Sequence, residues 1–168
     1  MERLNQFTPR LVLTCGFAGG LDPALAAGDV LCSTDDDGLR VKLTAAGARG
    51  AKFFCAPRIA TTQQEKQALR RTTGADAVEM ESDAIHAVCR ERGIPCATVR
   101  VISDAAHEDL PLDFNQLSKP DLSLDFGKLL WAIAKSPGKI PALLRLQKNS
   151  SAAAQRLADV LVKVTSRD

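Results

Sequence analysis

Two short stretches carry the residues best suited to chemistry: Val78-Glu79-Met80-Glu81-Ser82 and Val99-Arg100-Val101-Ile102-Ser103-Asp104. Each follows an apolar run with an acid, Glu81 in the first and Asp104 in the second, and a helical pattern separates them. A carboxylate can accept hydrogen bonds from two hydroxyls, and a protonated one can act as a general acid. In an open α/β sheet, ligands bind outside the carboxyl ends of the strands. The pattern therefore predicts Glu81, Asp104 and the thioether of Met80 at one sheet rim, where a small polar ligand would sit. The competing reading is that each acid caps the element that follows it, because the helix dipole favours acids in a first turn.

The surrounding sequence supplies elements to position them. Leu11-Val12-Leu13-Thr14-Cys15 reads as a buried strand that breaks at Gly16-Phe17-Ala18-Gly19-Gly20, a loop that bends tightly or approaches a ligand closely. Val30 to Ser33 is a second strand. Thr34 to Gly50 reads as a surface excursion with Asp35-Asp36-Asp37-Gly38 as a solvated turn, and Lys52 to Cys55 as a third strand. Thr62 with Glu65 fits a capping box that opens a helix to about Thr73, with Gly74 as its C-terminal cap. Ala77 to Met80 is a strand, and Ser82 to Arg92 is a helix with Ile85, Val88 and Cys89 on one face. Ala97 to Ile102 is an apolar strand interrupted only by Arg100, and Ala105 to Asp121 is a loop with short helical turns at most. Helices follow at Leu124–Lys135 and Ile140–Val164, the second amphipathic with a break expected near Asn149-Ser150-Ser151. Strands alternating with helices predict a three-layer α/β/α domain with a mostly parallel central sheet.

The bulk numbers narrow the class. A chain of 168 residues, 45% hydrophobic, is long enough for one domain with its own core, expected over residues 1–168. A net charge of +2, no Tyr and 4% aromatic residues give no basic, aromatic-interleaved stripe, so nucleic acid is not an expected partner. The five cysteines form no C-x-x-C pair and read as buried free thiols in a reducing compartment, which makes the cytoplasm the expected location. His86 and His107 read as satisfied or solvent-facing side chains, and no metal or organic cofactor is implied. Met1 to Arg10 is polar and lacks a signal-peptide core.

Three blocks resemble the nucleoside phosphorylase and nucleosidase superfamily, which includes purine and uridine phosphorylases and methylthioadenosine/S-adenosylhomocysteine nucleosidases. Thr14 to Gly20 followed by Gly28-Asp29-Val30 resembles its Gly-rich block. Val78 to Ser82 resembles its V-E-M-E-A/S block, and Val99 to Asp104 its V-R-x-I-S-D block. The resemblance covers residues 11–114, ahead of a helical tail from 122 to 168. Within that tail, Pro137 to Gln147 is most similar to the hopanoid-associated branch, thought to release adenine from an adenosylated hopane lipid.

The resemblance implies cleavage of an N-glycosidic bond. Asp104 would take the role of general acid toward the purine, with Ser103 orienting it or the base. Glu81 would accept hydrogen bonds from the ribose hydroxyls, flanked by Glu79, and Met80 would lie against the sugar. The backbone of Ala18 and Gly19 would face phosphate or sugar. Phe17 stands where phosphorolytic relatives usually carry a small hydroxyl residue, which favours water as nucleophile or a bulky apolar group near the sugar. Arg58 and Ile59 occupy the segment that resembles the purine-stacking one. The implied partner is a nucleoside or adenosyl compound, with phosphate in the phosphorylase alternative. Family members are commonly homo-oligomers.

Two departures qualify this picture. The family normally precedes the Gly-rich strand with a further strand and helix that supply the nucleophile-activating group, and Met1 to Arg10 does not resemble that segment. The chain thus reads as an N-terminally truncated phosphorylase-like fold, and a non-catalytic nucleoside-binding module is a further alternative. In the tail, Lys135, Lys139, Arg145 and Lys148 alternate with Ile140, Leu143, Leu144 and Leu146. Such a helix could rest on a membrane surface, or pack its apolar side and leave a solvated basic face.

Overall fold

The computed structural model of the protein describes residues 9–117 and 126–166. Six strands form one sheet: β1 (Val12–Gly20), β2 (Val30–Thr34), β3 (Arg49–Gly50), β4 (Phe53–Cys55), β5 (Ala77–Glu79) and β6 (Cys96–Asp104), in the order β3-β2-β6-β1-β5-β4. Among the described residues, six α-helices accompany them: α1 (Asp37–Ala45), α2 (Gln63–Thr73), α3 (Ser82–Glu91), α4 (Phe114–Leu117), α5 (Phe126–Lys135) and α6 (Ile140–Thr165). The expected end of the 105–121 loop and the helix start at Leu124 lie outside the described residues.

The central pair, β1 and β6, is parallel and runs in register from Val12 opposite Cys96 to Ala18 opposite Ile102. The pairings β2–β3 and β4–β5 are also parallel, while β2–β6 and β1–β5 are antiparallel. The sheet is therefore mixed, with parallel pairings in the majority. The period of two divides β6 between the two faces. Ala97, Val99 and Val101 enter a core with Leu39 and Leu43 of α1 and Ala153, Leu157 and Val160 of α6. Ile102 joins Ala18, Leu25, Leu31 and Ala77 in a separate cluster. Burial on both faces explains why β6 reads as an unbroken apolar run rather than an alternating one.

Local signals account for most elements. Thr62 accepts from the Glu65 N–H, and the Glu65 carboxylate returns to the Thr62 N–H, so the capping box of α2 is formed, with Gly74 closing the helix at φ +63°. Three expectations need correction. The excursion at 34–50 contains α1, whose N-cap is Asp36, accepting from the Leu39 N–H at 2.8 Å. Leu39 and Leu43, one turn apart, bury the helix, and that spacing outweighs the three aspartates before it. The break expected near Asn149 is absent, because α6 runs unbroken through it and Ala153 is fully buried in the core.

The third correction concerns the glycines. Gly16 to Gly20 is not a loop but the second half of β1, and none of its glycines has positive φ. The glycines are required by close neighbours. A Cβ on Gly16 would run into the Arg100 guanidinium, and one on Gly20 would stand 3.3 Å from the Asp104 carbonyl oxygen.

Candidate active site

A cavity of about 560 Å³ lies alongside β1, within the usual size range of small-molecule sites. Its wall includes every residue singled out above for a ligand: Phe17, Ala18 and Gly19 of β1, Ile59, Glu79, Met80, Glu81, Ser103 and Asp104. Arg58, Arg100, Leu110, Phe114, Leu146 and Ser150 complete much of it. The two acids do not share a rim of parallel strands, as the sequence pattern suggested. β5 meets β1 antiparallel at Gly19 opposite Val78 and Gly20 opposite Ala77, whereas β6 runs parallel to β1. The chain leaving β5 through Met80 and Glu81 therefore doubles back beside β1. Asp104 then lies by Gly19, and Glu81 nearer Gly16, through Arg100.

Neighbouring strand residues ordinarily face opposite ways, yet Ser103 and Asp104 both line the cavity. A β-bulge explains it. The register jumps from Ala18 opposite Ile102 to Gly19 opposite Asp104, leaving Ser103 unpaired, and a bulge of this kind re-aims the side chains next to it. Ser103 Oγ donates to Asp104 Oδ1 at 2.5 Å and lies 3.3 Å from the Ala18 carbonyl oxygen. Asp104 Oδ2 lies 2.5 Å from Lys66 Nζ, an ion pair outside hydrogen-bond angles, and Oδ2 has no hydrogen-bond partner among the described residues.

Glu79 and Glu81 divide the two roles weighed for an acid at this position. Glu79 is the capping residue: its Oε2 accepts from the N–H groups of Glu81 (3.0 Å) and Ser82 (2.9 Å), and its Oε1 from the Ser82 hydroxyl (2.6 Å). Burial alone would raise the Glu79 carboxyl, but the Ser82 hydroxyl, these two N–H groups and the Arg100 cation together bring it below its ordinary value. Glu81 sits at the N-cap of α3 without capping it, and its side chain is 65% exposed. Glu81 therefore keeps acceptor capacity toward the cavity, while Glu79 is committed to the protein.

Arg100 ties the group together. Its Nη2 donates to Glu79 Oε2 at 2.8 Å, and reaches Glu81 Oε2 and Thr14 Oγ1 at 3.3 Å each. The sequence signal for it was the single charge inside an apolar strand, because a charge buried in a sheet must have a partner. Lys66 gave no such signal. It is one of several cations in a polar helix, but in the fold it is the one α2 residue that is fully buried. Phe114 is the other residue that the sequence did not flag. Asn115 draws α4 against the 59 segment, its Oδ1 accepting from the Ile59 N–H and its Nδ2 donating to the Ile59 carbonyl, both at 2.9 Å. This puts an aromatic ring in the wall beside Ile59, while Arg58 turns to an ion pair with Glu65 at 2.6 Å.

The other candidate groups fall outside this chemistry. His86 Nε2 meets Thr98 Oγ1 at 2.8 Å away from the cavity wall, and His107 is exposed. The thiols are unpaired, but only Cys32 and Cys89 are buried. Cys15 borders the cavity, and loss of solvent around it raises its pKa despite the nearby Arg100 cation, so it is poorly suited to act as a thiolate nucleophile. Among the described residues, no cluster of three or more His, Cys, Asp or Glu could hold a metal ion. Among them, too, no helix is long and apolar enough to cross a membrane.

The mixed α/β sheet, with Glu81 and Asp104 brought to one cavity, defines the class of fold, and comparison with known proteins gives the family. Residues 48–135 match the phosphorylase superfamily, to which the chain belongs. The chain is similar to a 5'-methylthioadenosine/S-adenosylhomocysteine nucleosidase of Shewanella halifaxensis, 25% identical over 153 aligned positions that cover 67% of this chain and 64% of the relative. The chain thus spans less than two thirds of the length of that curated relative. Among the solved structures that share its fold are two that cover nearly all of this chain. One is a Colwellia psychrerythraea nucleosidase of the same name in complex with adenine (TM-score 0.66, 17% identity, 96% of this chain and 68% of that one). The other is the futalosine hydrolase of Helicobacter pylori (TM-score 0.62, 19% identity, 95% and 71%).

Proposed function

We propose that this chain carries the purine and ribose site of an enzyme that cleaves the N-glycosidic bond of an adenosyl compound and releases the base. The observation that carries the reading is the convergence of Asp104, held by the Ser103 hydroxyl at 2.5 Å, and the exposed Glu81 carboxylate on one cavity. In the reaction, the bond from the sugar C1′ to the purine nitrogen breaks and its electron pair goes to the base. A proton from Asp104 to the purine neutralises the leaving group, a contribution of about 10²–10⁴-fold. Glu81 accepts hydrogen bonds from the ribose hydroxyls, and its charge favours the cationic sugar. Water then adds at C1′ and gives up a proton to solvent, which leaves the free sugar hydroxyl. Met80 offers a soft apolar contact to the sugar, and Phe114 with Ile59 an apolar wall for the base.

Phe17 supports water over phosphate as the nucleophile. It borders the cavity, is 46% exposed and offers no hydrogen bond to an anion. The phosphorylase reading would instead require inorganic phosphate for turnover. The particular substrate in this reading is an adenosylated lipid of the hopane type, supported by the tail's similarity to the hopanoid-associated branch. Its access from a lipid surface is supported by α5 and the start of α6, where Leu130, Trp131, Ile140 and Leu144 are exposed. Residues 126–148 there carry Lys128, Lys135, Lys139, Arg145 and Lys148 and no acid. The unpaired thiols support a reducing, cytoplasmic setting, and the family habit supports a homo-oligomer.

The test is adenine release from methylthioadenosine, S-adenosylhomocysteine, adenosine and an adenosylated lipid, with and without phosphate, in the wild-type protein and Asp104→Asn. Release without phosphate is expected, slowed about 10²–10⁴-fold in the variant. Full turnover by Asp104→Asn would remove Asp104 from the chemistry. A strict phosphate requirement would make the protein a phosphorylase, and adenine binding with no turnover a non-catalytic nucleoside-binding module.

A further inference from the structure

Lys66 is 0% exposed, and a buried ammonium is costly unless its hydrogens are used. Its Nζ donates to the carbonyl oxygens of Ala105 (2.8 Å) and Glu108 (2.7 Å) and pairs with Asp104 Oδ2 at 2.5 Å. The two carbonyls belong to one turn, closed by Glu108 N–H to Ala105 O at 3.1 Å and by Ala105 N–H to Glu108 Oε2 at 2.9 Å. The ammonium thus grips the Asp104 side chain and the turn that follows it. Stability alone does not explain a charge here, because the segment is fastened without it. Leu110 N–H donates to the Thr61 carbonyl at 2.8 Å, and Gln63 N–H to Asp109 Oδ1 at 2.6 Å.

We propose that Lys66 is the positioning residue of the Asp104 acid, an inference that rests on the function proposed above. Ser103 holds one carboxyl oxygen by a directed hydrogen bond, and Lys66 holds the other by charge, so the carboxyl plane is fixed from both ends. Lys66 also acts at the moment of transfer. When the Asp104 proton passes to the base, a carboxylate is left in a nearly dry pocket, and the ammonium beside it compensates that charge without any rearrangement. Lys66 does not line the cavity wall, so it acts through Asp104 and not on the substrate.

The experiment compares wild type, Lys66→Met, Asp104→Asn and the double variant in adenine release, with thermal unfolding as a check on the fold. Lys66→Met is expected to lower kcat by about tenfold or more, a part of the acid's roughly 10²–10⁴-fold contribution, with KM changed by less than about threefold. The discriminating readout is the double variant. A residue acting through Asp104 costs nothing further once the acid is gone, whereas general damage to the fold lowers the rate again. Unchanged kcat in Lys66→Met beside a strongly slowed Asp104→Asn would overturn the Lys66 proposal and leave the function standing. Full additivity in the double variant would also overturn it. Full turnover retained in Asp104→Asn would instead overturn the function and this inference with it. Should Lys66→Met not fold, Lys66→Gln carries the same comparison, since its amide can still donate to a carbonyl but has no charge.

Discussion

The Arg100 guanidinium and the Glu79 carboxylate meet at 2.8 Å with both side chains almost completely buried, at 3% and 1% exposure. Both border the cavity, and Glu81 is linked to the pair through the same Arg100 nitrogen. The pair is the support on which the exposed acid stands.

Arg100→Met keeps the length of the side chain and removes its charge. Glu79 is then left buried without its cation, and breaking a buried pair from one side costs about 3–5 kcal/mol. The Ser82 hydroxyl and two N–H groups still hold Glu79, so the lower end of that range is expected in urea unfolding. A loss below about 1 kcal/mol, the level of an exposed pair, would show that the guanidinium is dispensable to the fold.

Glu79 also sets a pH dependence. Its folded-state pKa lies below the ordinary 4.5, so its contribution is present above the ordinary value and is lost as pH falls through the folded one. Glu79→Gln removes that charge. The gap in melting temperature between wild type and Glu79→Gln should be widest near pH 7 and shrink below about pH 4.5. Parallel curves across that window would mean that the carboxylate form is not preferred in the fold.

Gly16 is expected to resist even the smallest side chain. The Cβ of Gly16→Ala falls on Arg100 Nη1, and Arg100 is anchored by Glu79, Glu81 and Thr14. Overpacking of this kind costs about 1–3 kcal/mol. The same change made in Arg100→Met should cost less, because the thioether chain carries no anchored group at its end. Equal costs in the two backgrounds, measured by denaturant unfolding, would place the strain elsewhere on β1.

The apolar, basic tail makes a spectroscopic prediction. Trp131 is the only tryptophan in the chain, is 62% exposed, and has Lys135 Nζ 3.5 Å from its ring centroid. With vesicles rich in an anionic phospholipid at low salt, its emission should shift to the blue, and the shift should fade as salt screens the surface. No shift at any lipid concentration would leave the tail as a packing helix with a solvated basic face.

The sequence by itself determined the acids and their order. Glu81, Asp104 and the apolar strands before them were legible because a buried strand ended by an acid is a local pattern. The capping box at Thr62 and the stop at Gly74 were legible for the same reason, since a cap is satisfied within four residues of itself. What only the tertiary structure decided was how the acids meet. An antiparallel β5 and a bulge at Ser103 bring Glu81 and Asp104 to one cavity, and strand direction is a property of the whole sheet, not of any one strand. The glycines of β1 look like a loop in one dimension. They belong to a strand because Arg100 and Asp104, about 85 residues downstream, fill the space beside them. Lys66 was invisible for the same physical reason: a cation in a polar helix becomes buried only when a turn 39 residues away closes over it.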